Sequence, residues 1–180
     1  MKVLFLAAVD FELDVARRAW GDAPAVFHVG GVGAAATRKA LESLLRGEGW
    51  FDRVVNVGIA GSGTPAFPLG SVVHVTSERY GENPERLLIQ PSPWPELDFL
   101  PRASGNTLQM LDAQYRRIPA DVETMEGAAF FEACLADGIP FAEIRAVSNR
   151  VGETDHARWD IPLALQNLES ALRRLKTYLL

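Results

Sequence analysis

Apolar residues run without a break over residues 3–9 and include several branched side chains, which predicts a strand covered on both faces. Asp10 is placed to cap a first helix, whose apolar positions are Phe11, Leu13, Val15, Ala16 and Trp20. A second short strand is predicted over 25–29. It leads through Gly30, Gly31 and Gly33 into a helix over 34–46 with apolar positions Ala40, Leu41, Leu44 and Leu45. Further strands are predicted over 53–59, 71–77, 121–125 and 141–148. A helix over 126–137 should stop at Gly138, with Pro140 beyond it. Leu165, Leu168, Leu172, Leu175 and Leu179 mark the apolar stripe of a closing helix. Residues 81–102 break this rhythm. Pro84, Pro91, Pro93, Pro95 and Pro101 exclude a helix or a central strand there. The stretch is expected to be an ordered surface excursion anchored by Leu87, Leu88, Ile89, Trp94 and Phe99, with regular structure resuming over 106–110.

Strands that alternate with helices, and that are themselves nearly all apolar, predict an α/β fold. The expected architecture is a three-layer sandwich around a mainly parallel, mixed central sheet, in one domain over residues 1–180. Composition adds exclusions rather than assignments. The 180 residues are 48% hydrophobic and 23% charged, an ordinary globular balance. A net charge of −5 argues against a general nucleic-acid or anionic-membrane surface. Cys134 is the single cysteine, so no internal disulfide or thiolate cluster is expected. No stretch approaches the roughly 20 apolar residues of a membrane span. A reduced, cytoplasmic protein is the expectation.

In such sheets ligands sit beyond the carboxyl ends of the strands. The segments of interest are therefore 8–12, 30–33, 58–63, 77–80, 123–126 and 145–150. They hold Glu12, Glu126, Arg145, Ser148 and Asn149. A carboxylate at the start of a helix, as at Glu126, either complements the helix dipole or accepts hydrogen bonds from vicinal hydroxyls such as a ribose offers. Spacing alone leaves both open. Gly31, Gly33 and Ala36 fit a loose dinucleotide-binding pattern, but they follow the second strand rather than the first, and a plain turn accounts for them equally well. His28, His74 and His156 lack metal-ligand spacing, and Ser62 lacks the flanking glycines of a nucleophile elbow. No metal or cofactor is expected. Cys134 reads as a small buried hydrophobe.

Four segments, in order along the chain, carry a resemblance. They are Leu6-Ala7-Ala8 with Glu12, Val55-Asn56-Val57-Gly58-Ile59-Ala60-Gly61, Thr124-Met125-Glu126-Gly127-Ala128-Ala129, and Ile144-Arg145-Ala146-Val147-Ser148-Asn149, followed by Trp159-Asp160-Ile161-Pro162. On these the sequence resembles the nucleoside phosphorylase and nucleosidase superfamily, and within it the futalosine hydrolase family of the alternative menaquinone pathway. The resemblance implies roles. Glu12 would activate the attacking water, and Glu126 would hold the ribose hydroxyls with Met125 beneath the sugar. Arg145 and Ser148 would position Asn149 at the purine, and Ile59, Ala60 and Gly61 would line the substrate site. It also implies a homodimer or larger homo-oligomer. Methylthioadenosine-type nucleosidases carry an aspartate where this chain has Asn149. Superfamily members are longer, and the shortfall is placed around 81–102, which leaves the binding of a 5′ tail unassigned among Arg79, Arg150 and Arg158.

N-glycoside cleavage develops positive charge on the ribose and negative charge on the departing base. An amide at 149 suits a 6-oxopurine such as hypoxanthine, because it offers both a donor and an acceptor. Water is favoured over phosphate as nucleophile, since the first strand ends in Ala7-Ala8-Val9-Asp10 with no arginine before Arg17. A methylthioadenosine/adenosylhomocysteine-type nucleosidase, a phosphorylase, a silent nucleoside-binding protein and a dehydrogenase are the competing readings.

Overall fold

The computed structural model describes residues 1–47, 49–109 and 119–180. Strand β1 (Val3–Ala7) is buried along its whole length, and lies between β2 (Val26–Val29) and β3 (Arg53–Ser62), parallel to both. On its other side β3 runs parallel to β8 (Phe141–Arg150), and β8 in turn pairs antiparallel with β4 (Val72–Tyr80). From β4 the sheet passes to the parallel β6 (Arg102–Thr107), then to β7 (Val122–Thr124), which returns antiparallel to β3. The five strands β3, β7, β6, β4 and β8 thus close on themselves. The predicted mixed sheet is present, and its closure brings the ends of β3, β7 and β8 together.

Among the described residues, four α-helices cover the sheet. α1 (Asp10–Trp20) and α4 (Ile161–Leu179) enclose one core with Phe5, Val55, Val57 and Ile144. α2 (Ala34–Gly47) and α3 (Gly127–Asp137) enclose the other with Leu4, Leu6, Val54 and Phe141. Because both faces are covered, the central strands need no alternation, and nearly every residue of β8 is buried. Leu168, Leu172 and Leu175 point into the first core as their spacing predicts. Asp160 caps α4, its carboxylate accepting from the Leu163 N–H at 3.1 Å. Gly138 ends α3 in the left-handed conformation at φ 63°, where a side chain would be strained.

Several boundaries differ from expectation. β3 and β8 continue through the predicted exits to Ser62 and Arg150. Their glycines and polar residues lie within paired strands because each strand keeps a neighbour that far. Asp10 is the first residue of α1 rather than its cap; Val9 occupies the cap position and makes no side-chain bond. The proline-rich stretch is more regular than predicted. It contributes β5 (Asn83–Ile89), an antiparallel partner of β4 at the sheet edge, where Pro84 is tolerated. Of the expected anchors, Leu88 and Trp94 are buried and Phe99 packs against the first core, whereas Leu87 and Ile89 stand exposed on the edge strand. β6 begins at Arg102, earlier than predicted, and residue 110 of that expected segment lies outside the described residues. No helix among the described residues is long and apolar enough to cross a membrane. Cys134 is fully buried in α3, and burial pushes its thiol well above the ordinary range.

Candidate active site

A cavity of about 370 Å³ opens where β1, β3, β7 and β8 end. Seven of the nine predicted site residues line it: Glu12, Ile59, Ala60, Gly61, Met125, Glu126 and Asn149. Arg145 and Ser148 do not line it. They are fully buried and act from behind, through residues that do.

Glu12 enters from the first turn of α1. Its Oε1 accepts from the Ile59 N–H at 2.9 Å, and its buried Oε2 has no hydrogen-bond partner among the described residues. Burial raises the Glu12 carboxyl above its ordinary value; the Arg145 charge and the Ile59 N–H pull the other way. A raised, partly desolvated carboxylate within a cavity is suited to taking a proton from water.

Glu126 stands at the cap position of α3, yet its side chain makes no capping bond. Oε1 instead accepts from the Gly33 N–H at 3.0 Å, and Oε2 lies 3.6 Å from Arg145 Nη2. The side chain thus turns away from its own helix and towards the cavity. It also explains the glycine turn before α2. Gly31 and Gly33 both have positive φ, at 85° and 93°, and the turn presents the Gly33 N–H to Glu126. The Gly33 N–H is thereby committed to a carboxylate of this chain.

Arg145 organises both acids. Its Nε donates to Glu143 Oε1 at 2.7 Å, and with the Asn56 amide oxygen turned towards it, Nη2 donates to Asn56 Oδ1 at 2.8 Å. Burial alone would lower the guanidinium, but Glu143, Glu126 and Glu12 outweigh burial and hold it above its ordinary value. Gly58 lies beside this group. A Cβ there would sit 2.5 Å from Arg145 Nη1 and 2.7 Å from Glu12 Oε1. Both side chains are pinned, so Gly58→Ala should lower kcat by about a hundredfold with the fold retained. Steady-state kinetics beside a thermal melt would check this, and near-normal kcat would show that the pair can move at little cost.

Asn149 is held locally. Its Oδ1 accepts from the Ser148 hydroxyl at 2.8 Å, and its Nδ2 donates to the Arg150 carbonyl at 3.0 Å. It nonetheless faces the cavity across from Gly61, whose missing side chain makes room for the amide. The sequence reading did not single out Glu123, Phe11, Val32, His156 or Trp159 as site residues, although all five line the cavity. The Trp159 ring lies against His156 at 4.2 Å between centroids. Of the three arginines considered for a 5′ tail, Arg150 is committed to the Ser62 hydroxyl and the Thr64 and Phe67 carbonyls, and Arg158 pairs with Glu153 and Asp155. None of the three lines the cavity.

The fold is nucleoside phosphorylase-like. Residues 102–180 match the family described as the phosphorylase superfamily. The similarity is in particular to futalosine hydrolases. That of Thermus thermophilus is 53% identical over 60 residues, covering 33% of this chain and 27% of the relative. That of Streptomyces coelicolor is 33% identical over 157 residues, covering 69% of this chain and 65% of the relative. The chain thus spans less than two thirds of the length of these curated relatives. Among solved structures, the futalosine hydrolase of Helicobacter pylori superposes with a TM-score of 0.84 at 14% identity, over 99% of this chain and 98% of that one. The 5′-methylthioadenosine/S-adenosylhomocysteine nucleosidase from Colwellia psychrerythraea, solved with adenine, gives 0.81 at 20% identity, over 98% and 95%. At these identities the structural likeness establishes the fold.

Proposed function

We propose that this chain is a nucleosidase that hydrolyses the N-glycosidic bond of futalosine and releases hypoxanthine, a reaction of menaquinone formation. The observation that carries the reading is the placing of two buried carboxylates, Glu12 and Glu126, on one cavity and on one buried arginine. Glu126 accepts from the ribose hydroxyls and fixes the sugar, and Glu12 orients a water and takes its proton as the glycosidic bond breaks. Asn149 hydrogen-bonds the departing 6-oxopurine as charge develops on it. The curated relatives named futalosine hydrolase support the substrate.

Water is the nucleophile in this reading. Glu12, Glu123, Glu126 and Glu153 line the cavity, with no lysine or arginine among the described lining residues, so a phosphate dianion would meet a predominantly acidic wall. Hypoxanthine release from futalosine is therefore expected at the same rate with and without phosphate. An absolute phosphate requirement with a ribose 1-phosphate product would replace hydrolysis by phosphorolysis. No release under either condition would favour a silent nucleoside-binding protein. The same reading places the protein in the cytoplasm as a homo-oligomer. Phe11 and Val32, 46% and 56% exposed at the cavity, form an apolar rim that a second copy would cover.

A further inference from the structure

Beneath the site lies a second pair of carboxyls that the proposed chemistry does not use. Glu78 on β4 and Glu143 on β8 are both fully buried. Glu78 Oε2 accepts from the Thr107 hydroxyl at 2.9 Å, and Thr107 Oγ1 accepts from the Ala128 N–H in the first turn of α3 at 2.7 Å. Glu143 Oε1 is taken by Arg145. The remaining oxygens, Glu78 Oε1 and Glu143 Oε2, are both buried without a partner among the described residues. They also converge. A Cβ on Gly127 would lie within 3.0 Å of each, so the glycine that opens α3 is the roof over both.

Two carboxylates meeting in a dry pocket cannot both keep a charge with a single arginine between them and two further acids. One proton resolves this, because it turns a pair of orphaned acceptors into a donor and an acceptor. We infer that Glu78 and Glu143 share one proton in a carboxyl–carboxylate hydrogen bond, and that the pair forms the positioning residues that hold Arg145 against Glu12 and Glu126. Glu143 keeps the charge because Arg145 faces it at 2.7 Å; Glu78 carries the proton because Thr107 is its only donor side chain among the described residues. The charged and titratable groups around the pair are Arg145 on β8, Glu126 at the cap of α3, Cys134 within α3 and Glu12 on α1. Burial raises both carboxyls, in keeping with one retained proton.

The consequence for the site is a matter of charge. With the pair at one negative charge, Arg145 stays balanced enough to hold Glu126 and still favour ionised Glu12. A second charge would leave Glu12 protonated more of the time and weaken it as a base. Two measurements test the inference, and only the second rests on the proposed hydrolase reading. The first is the infrared band of a buried protonated carboxylic acid near neutral pH, identified by its shift in deuterated buffer. The band should be present in the wild type, persist in Glu12→Gln and vanish in Glu78→Gln. The second is the acid limb of kcat/KM for futalosine. Glu78→Gln replaces a neutral donor by a neutral donor, so the limb should stay in place. The Glu78→Gln/Glu143→Gln double variant removes the charge facing Arg145 on β8 and leaves only Glu126 and Glu12 to balance it, so the limb should fall by about one pH unit. Absence of the band in wild type, its survival in Glu78→Gln, or a lowered limb in Glu78→Gln alone would overturn the shared proton. If Glu78→Gln does not fold, the wild-type and Glu12→Gln spectra decide: a band present in both supports the pair, and loss in Glu12→Gln assigns the proton to Glu12 instead. Absence of hypoxanthine release would remove the hydrolase reading and leave the infrared result standing.

Discussion

Glu12→Gln is expected to lower turnover about a thousandfold while nucleoside binding stays measurable. The substitution preserves what holds the side chain: a glutamine oxygen still accepts from the Ile59 N–H that Glu12 Oε1 accepts from now. What it removes is the second carboxylate oxygen, Oε2, which is buried without a partner among the described residues and is the base of the proposed reaction. Burial raises the Glu12 carboxyl, so the base form is lost as pH falls through a value above the ordinary carboxylate range. The acid limb of kcat/KM should lie correspondingly high in the wild type. In Glu12→Gln the residual rate should lose that limb. Stopped assays of hypoxanthine release, with binding followed by calorimetry, separate the two effects. Near-normal turnover in the variant would mean that the water is activated by another residue.

Much of this site was legible because its residues come in short runs that a single strand end or helix start must present together. Thr124-Met125-Glu126-Gly127 and Arg145-Ala146-Val147-Ser148-Asn149 are such runs, and Glu12 follows an unmistakable buried strand. What stayed hidden depends on contacts between distant segments. Glu143 and Arg145 are two residues apart and share a face of β8, but every position from Phe141 to Asn149 is buried, so no alternation marks which face is which. Glu78 reads as a polar strand end near Tyr80; it is buried because α3, almost fifty residues later, lays Gly127 over it. The Gly33 turn fits a loose dinucleotide pattern and a plain turn equally well, and nothing local announces that its N–H meets Glu126, a residue far along the chain. The prolines of 81–102 did exclude a central strand, but they could not exclude an edge strand, whose free side needs no donor. Closure of the sheet was invisible for the same reason: β8 pairs with both β3 and β4, and nothing local to any of the three announces it.

Asn149→Asp should lower activity on futalosine and raise the relative rate on adenine nucleosides. The geometry makes the reason specific. Asn149 accepts from Ser148 with Oδ1 and donates to the Arg150 carbonyl with Nδ2. An aspartate keeps the first contact and loses the second, because an ionised oxygen would then face a carbonyl oxygen. The carboxyl relieves that clash by holding a proton, as carboxyls in unfavourable acceptor surroundings do. A protonated carboxyl beside the base is a general acid, which the amide cannot be. Adenine gains from this, since it presents a 6-amino donor and leaves more readily when protonated at N7. Hypoxanthine already spreads its leaving charge onto the 6-oxo group, and it loses the amide donor that met that group. The gain on adenine nucleosides should therefore grow as pH falls and more of the carboxyl is protonated, whereas wild type should show no such trend. Competing rates on futalosine and methylthioadenosine across the pH range measure it directly. An unchanged ratio at every pH would reduce Asn149 to the residue that ties the end of β8 to Ser148 and Arg150.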